Sequence, residues 1–243
     1  MRKYRFFVEN KLVDLDKGII VPDNTLFRYV ENVLRGGDDC QLIAFDGSGK
    51  EYIVTYDMPK KVLRIRDIIA NCVNKGFSLT LFQAIPKGNY MDDVTALCSQ
   101  LGVDEIVPVI TSRTTVKQVS DAKLNRWRRI AMESCKVGGY CNTTNIDPAM
   151  TIDNAYNKIP TFDLSLFLYE NAEDKRLSDY DTEIRTSERI CLVIGPEGGF
   201  DEQEATKLSS ICKTVSLGPV IYRSRWVGAI GITCINYIKG IVG

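Results

Sequence analysis

Two patterns of apolar positions divide this chain. Up to about residue 72 the apolar residues come in short runs. Leu42-Ile43-Ala44-Phe45 and Tyr52-Ile53-Val54-Thr55-Tyr56 flank Asp46-Gly47-Ser48-Gly49, a hairpin signal, and Val62–Ile65 continues the series. This predicts an all-β unit that suits a small barrel. From about Phe77 strand-like runs alternate with helical spacing. Leu79–Ala84, Ile106–Ile110, Leu164–Tyr169, Ile190–Ile194 and Thr214–Leu217 read as strands. Val94, Leu97, Cys98 and Leu101 recur at helical spacing before Gly102, which suits a C-terminal cap. Lys123–Lys136 reads as an amphipathic helix with Leu124, Trp127 and Ile130 inward and Lys123, Arg126 and Arg129 outward. The alternation implies an α/β domain with a mostly parallel sheet, so the expected division is 1–72 and 73–243.

The chemistry gathers where strands end in glycines. Gly195-Pro196-Glu197-Gly198-Gly199-Phe200 follows the run Ile190–Ile194 and precedes Asp201-Glu202-Gln203-Glu204. Glycines at a strand-to-helix turn let the backbone approach a bound molecule closely, and Asp201 with Glu204 has the spacing of a capping box. Further on, Ser216-Leu217-Gly218-Pro219 repeats the arrangement before Arg223 and an apolar last helix. Two such turns beside each other in a sheet form the walls of one pocket.

Composition bounds the reading. Of 243 residues, 44% are hydrophobic and 26% charged, enough to bury one good core or two smaller ones. The eight cysteines lie far apart with no Cys-x-x-Cys pair and read as reduced core residues, so neither a disulfide framework nor a zinc site is expected. Charges at Glu9, Lys11 and Asp14 leave no room for a signal peptide's apolar core, and Trp226–Ile238 falls short of the roughly 20 residues a membrane span needs. A cytoplasmic protein is expected, with no membrane and no metal partner. Net charge is zero but unevenly spread. Arg113–Lys136 is basic, Glu170–Glu204 is acidic, and Lys60, Lys61, Arg64 and Arg66 form a further basic cluster. Phosphates need local positive faces rather than a basic total, although ordinary solvated faces have the same composition.

The ordered set of segments carries a resemblance. "RKYRFFVEN", "VLRGGD", "LFQAIPKGNYMDDV", "LGVDEIVPVITSRT", "RWRRIAMES", "CLVIGPEGGFDEQE" and "VSLGPVIYRS" together resemble the bacterial methyltransferases that methylate N3 of a uridine in small-subunit (16S) ribosomal RNA. That family belongs to the SPOUT superfamily. The resemblance implies an α/β trefoil-knot (SPOUT) methyltransferase domain at residues 73–243, preceded by a PUA-like, RNA-binding β-barrel at 1–72. It implies S-adenosylmethionine as cofactor, ribosomal RNA as partner and a homodimer paired through the knot. Carried over residue by residue, the cofactor-binding positions are Leu168, Tyr169, Ile194, Gly195, Pro196, Glu197, Gly198, Ser216, Leu217 and Gly218. Arg223 matches the arginine after the second turn and is the catalytic candidate, steadying the uridine or its anion; a phosphate contact or a helix-start ion pair would account for it equally well. Arg2, Arg5, Arg35, Arg126 and Arg225 are the candidates for RNA contact.

N3 of uridine carries a proton in neutral water. Transfer of a sulfonium methyl to it needs a proton acceptor and a cation, but no metal. The chain also departs from the family. Ser224, Arg225, Trp226 and Val227 stand where relatives carry threonine, glutamate, threonine and alanine, and the absence of histidine leaves Arg28 and Tyr29 where relatives have histidines. Two readings follow. In one the enzyme is active, with Arg225 as a second cation and Trp226 stacking on a flipped uridine. In the other it is catalytically impaired and acts as an RNA-binding, ribosome-associated protein. A nucleotide-phosphate loop is a third class, disfavoured because Glu197, Asp201 and Glu202 would repel phosphate.

Overall fold

The computed structural model describes residues 2–34, 40–69, 75–172 and 175–243. Two compact units result: residues 1–74 with 135–143, and residues 75–134 with 144–243.

The first unit is built on a mixed sheet of β1 (Arg2–Phe7), β2 (Val13–Asp14), β3 (Ile19–Ile20), β4 (Cys40–Phe45), β5 (Glu51–Asp57) and β6 (Val62–Ile69), in the order β1-β4-β5-β6-β3-β2. β1 runs parallel to β4 and the other pairs are antiparallel. The hairpin falls where its turn residues place it, with Phe45 opposite Glu51 around Asp46–Gly49. Asp46 ties it down, accepting from the Ser48 hydroxyl at 2.6 Å and the Tyr52 hydroxyl at 2.7 Å. Burial pushes the Tyr52 phenol up to about 12.

The expectation of an all-β unit needs correction, because α1 (Asn24–Leu34) lies within it. Asp23 accepts from the Thr25 and Leu26 amides and so starts the helix. Leu26 and Val30 then meet the core with Phe6, Ile20, Leu42 and Leu63. The apolar positions Leu26, Val30 and Val33 follow helical rather than alternating spacing, and that period decides the element.

The second unit is α/β. Its described strands are β7 (Ser78–Ala84), β8 (Glu105–Ile110), β9 (Asn145–Ile146), β10 (Met150–Thr151), β11 (Leu164–Leu168), β12 (Arg189–Ile194) and β13 (Lys213–Val215). All pairings among them are parallel, in the order β10-β8-β7-β12-β11-β13 with β9 also on β8. Helices α2 (Tyr90–Gln100), α3 (Asp121–Gly138), α4 (Ile152–Lys158), α5 (Asp181–Thr186), α6 (Glu202–Ile211) and α7 (Ser224–Ile238) accompany them.

The continuous apolar runs of the central strands follow from cover on both faces. Leu79, Leu81, Leu166, Leu168, Leu192 and Ile194 join one core with Trp127, Ile232 and Ile235. Phe82, Val107, Phe167, Cys191 and Val193 join the other with Ala155, Phe200 and Leu208. α7 lies close to the sheet because glycines face it. A Cβ on Gly231 would stand 2.9 Å from Leu168 Cδ1, and one on Gly228 3.2 Å from Leu81 Cδ2.

Among the described residues, cysteine usage departs from expectation at Cys141. Cys141 is disulfide-bonded, whereas Cys98, Cys191, Cys212 and Cys234 carry free thiols. Spacing along the chain does not show that residues 135–143 join the first unit, so a pairing made there is invisible in the sequence. Burial raises the thiol pKa values of Cys98 and Cys212, and that of Cys191 to about 12.

Candidate active site

The chain leaves β12 through Gly195–Gly199 and leaves β13 through Ser216–Gly218, while β11 between these strands ends at Leu168. Three parallel strands therefore deliver their carboxyl ends to one place, where ligand crevices of α/β sheets form. A cavity of about 470 Å³ opens there.

Each turn is locally determined. The Gly199 amide donates to the Pro196 carbonyl at 2.9 Å, closing the first turn, and Gly199 takes φ +67°. The Phe200 ring packs beneath it, so a Cβ on Gly195 would approach the ring to 3.0 Å. α6 then starts on the expected capping box: Asp201 accepts from the Glu204 amide at 2.8 Å, and Glu204 from the Asp201 amide at 3.1 Å. The bond from Glu204 holds the Asp201 carboxyl below the usual carboxylate range. In the second turn the Gly218 amide donates to Ser216 Oγ at 3.1 Å, with Gly218 at φ +102°.

Nine of the ten sequence-based cofactor positions line this cavity: Leu168, Tyr169, Ile194, Gly195, Pro196, Glu197, Ser216, Leu217 and Gly218. Gly198 does not line it; its carbonyl faces Arg113, accepting from Nη1 at 2.7 Å. The Glu197 carboxylate accepts from the Lys87 amide at 3.1 and 3.2 Å, which fixes the turn to the loop before α2. Arg223 lines the cavity, is exposed, and directs its guanidinium to no described partner.

Ser224 joins two elements at this point. Its hydroxyl donates to the Gly195 carbonyl and accepts from Gln83 Nε2 at 3.3 Å. Gln83 is fully buried at the end of β7 and also donates to the Ala84 carbonyl. The start of α7, and with it Arg223, is thus held to the first glycine turn. Sequence reasoning missed Ser224 as a site residue, along with Glu170, Val220, Ile221, Tyr222 and Val227 of the lining. The apolar run Val220-Ile221-Tyr222 is exposed in the loop before α7, and an apolar run beside a glycine turn was the available signal.

The arginines proposed for RNA contact stand elsewhere. Arg225 does not line the cavity. It pairs with Asp93 at 3.3 Å and stacks on Tyr90, with its guanidinium carbon 4.2 Å from the ring centroid. Arg126 pairs with Asp92 at 2.7 Å. In the first unit Arg5 spends all five N–H donors internally: on Glu51 at 2.6 Å, the carbonyls of Cys135, Lys136 and Tyr140, and Cys141 Sγ. It also lies 3.9 Å over the Phe45 ring, so no donor remains for a phosphate. The Arg2 side chain and Arg35 lie outside the described residues. No group of three or more metal-ligating side chains stands together, and no helix is long and apolar enough to cross a membrane, among the described residues.

A parallel α/β sheet with two glycine turns around one cavity at its strand ends has the form of a small-cofactor site. The RNA methyltransferase domain family matches residues 73–226, and the chain belongs to that family. Relatives extend the match over both units. The chain is 26% identical to the ribosomal RNA small subunit methyltransferase E of Rickettsia conorii, covering 93% of this chain and 91% of that one. It is 25% identical to the protein of the same name from Synechocystis, over 95% of this chain and 78% of that one. The crystal structure of the Neisseria gonorrhoeae ribosomal RNA small subunit methyltransferase E bound to S-adenosyl methionine superposes with a TM-score of 0.83 at 26% identity, covering 96% of this chain and 97% of that one. A Legionella pneumophila protein solved in complex with the same cofactor gives 0.82 at 25% identity, over 98% of each.

Proposed function

We propose that this chain transfers the methyl group of S-adenosylmethionine to N3 of a uridine in small-subunit (16S) ribosomal RNA. The observation that carries the reading is the convergence of both glycine turns and Arg223 on one cavity, in a chain whose relatives bind that cofactor. The residues fit the group. A cavity of about 470 Å³ has the size of small-cofactor sites, and Gly195 and Gly218 let the backbone come close. Leu168, Tyr169, Ile194–Gly198 and Ser216–Gly218 would hold it, with Gly198 acting through the turn it belongs to. The bound cofactor supplies an electrophilic methyl group on a sulfonium.

What the chain contributes is position and charge. Arg223 steadies the negative charge that develops on the uracil as its N3 proton leaves. The departures Arg225 and Trp226 fall outside the cavity lining, so they neither obstruct the cofactor nor supply the second cation and stacking ring there. Residues 73–243 form the methyltransferase domain, with the chain threaded as a trefoil knot at the cavity. Residues 1–72 form a PUA-like barrel that binds RNA, and Arg2, Arg35, Arg126 and Arg225 contribute positive charge to the RNA-facing surface. The chain works in the cytoplasm, without membrane or metal, as a homodimer. The exposed stripe of Trp226 and Tyr237 along α7 supports that pairing, since it leaves large apolar surface uncovered on an apolar helix.

The test is to incubate the protein with small ribosomal subunits lacking N3-methyluridine and with methyl-labelled cofactor. One labelled N3-methyluridine per subunit is expected. Cofactor binding without transfer would instead establish the RNA-binding reading.

A further inference from the structure

A second cavity of about 490 Å³ opens beside the first, and the two share Tyr169 and Glu170 as a common wall. Arg113, Asn171, Phe200 and Glu202 line its other sides. Gly199 stands where the Glu170 carboxylate and the Arg113 guanidinium come together. A Cβ there would lie 3.1 Å from Glu170 Oε1 and 4.0 Å from Arg113 Nη1. Any side chain would therefore fill the space between the two charges, and φ +67° independently demands glycine. The two are not used up on each other or on neighbours. Arg113 spends one donor on the Gly198 carbonyl, and the Glu170 carboxylate has no hydrogen-bond partner among the described residues.

Methyl transfer needs the acceptor atom against the transferable methyl, so the acceptor base must occupy space that opens onto the cofactor cavity. The second cavity is lined by two residues of the cofactor cavity, Tyr169 and Glu170, so a base held against Glu170 lies at the boundary of the two. Its polar groups also match one base. The pairing edge of uracil presents an acceptor, a donor and an acceptor (O4, N3–H, O2). The cavity offers the Arg113 guanidinium as a donor, the Glu170 carboxylate as an acceptor and the Asn171 amide as a second donor. Asn171 Nδ2 is oriented by Tyr169, whose hydroxyl accepts from it at 3.2 Å, and the Tyr169 ring is in turn stacked on Phe167 at 4.9 Å. Cytosine, which lacks the N3–H, would set an acceptor against the carboxylate.

Resting on the methyltransferase reading above, we propose that this second cavity receives the flipped-out uracil and that Glu170 accepts its N3 proton. The N3–H bond breaks, with the proton passing to the Glu170 carboxylate. The N3 electron pair forms the new N–CH3 bond while the methyl carbon–sulfur bond breaks and its electrons stay on sulfur. The products are the methylated base, the neutral thioether and a protonated Glu170, which returns its proton to water. Arg113 steadies the base anion together with Arg223, and Gly199 leaves the space between Glu170 and Arg113 free.

The experiment compares the wild type with Glu170→Gln and Glu170→Asp. It measures S-adenosylhomocysteine affinity by calorimetry and methyl transfer to small ribosomal subunits by steady-state kinetics. The expected result for Glu170→Gln is cofactor affinity within about 2-fold of the wild type, little change in KM for the subunit, and kcat down about 100-fold or more. Glu170→Asp should recover part of the loss. A Glu170→Gln protein with wild-type kcat would overturn the proposal alone, as would a loss of cofactor affinity as large as the loss in rate. A wild type that binds cofactor yet methylates no uridine would overturn the underlying reading and the proposal with it.

Discussion

Arginines in the first unit and arginines at the cavity of the second serve opposite ends. Arg5 is sealed by five donors, a carboxylate and a ring face, Arg64 is bound to Asp57 at 2.7 Å, and Arg66 donates to the Thr55 hydroxyl at 2.8 Å. At the cavity Arg223 keeps its guanidinium clear of every described partner, although Arg225, two residues along α7, is pinned by Asp93 and Tyr90. Whether an arginine is a strut or a free cation is decided by the acceptors within its reach. Runs of basic residues in a sequence do not distinguish the two. A chain of zero net charge can thus still present free positive charge at one place, because arginines such as Arg5, Arg64 and Arg225 are paired with carboxylates where they stand.

Four substitutions break or sharpen this contrast. The largest effect is expected for Arg5→Ala, which strands Glu51 and several carbonyls; a loss of about 3 kcal/mol in the first unit should appear in denaturant unfolding. Cofactor affinity should stay at the wild-type value, and a mild stability change with a large loss of RNA affinity would restore Arg5 as an RNA contact. Next comes Arg223→Ala, expected to lower kcat by about 100-fold while shifting stability by less than about 0.5 kcal/mol. A stability loss comparable to that of Arg5→Ala would make it another strut.

Ser224→Ala removes the link from Gln83 to the Gly195 carbonyl. It should cost about 1 to 2 kcal/mol and weaken cofactor binding in the same calorimetric titration, with Ser224→Thr restoring both. The smallest effect belongs to Asp93→Asn, which frees Arg225 from an exposed pair. A change under about 1 kcal/mol and an unaltered kcat are expected, and a large rate change would bring Arg225 back to the reacting base.

Most of the second unit was legible because its signals are local. Runs such as Ile190–Ile194, the glycines after them and the Asp201–Glu204 box each determine structure within a few residues, and β12, its turn and α6 lie where those residues place them. α1 was missed because the short apolar runs around it set the expected period, although Asp23 and the spacing of Leu26, Val30 and Val33 carried the opposite signal. The membership of residues 135–143 in the first unit, the disulfide at Cys141 and the fates of Arg5 and Arg225 depend on distant parts of the chain meeting. The Gln83–Ser224–Gly195 link likewise spans three elements, and nothing in the order of residues announces it.

The most direct test of the account is calorimetric titration with S-adenosylhomocysteine of the wild type and of Gly195→Arg, with circular dichroism to establish that the variant is folded. A Cβ at Gly195 already meets the Phe200 ring at 3.0 Å, so an arginine there must displace the turn that walls the cavity. The account predicts binding by the wild type and none by the folded variant. Equal binding by both would place the cofactor elsewhere and contradict it.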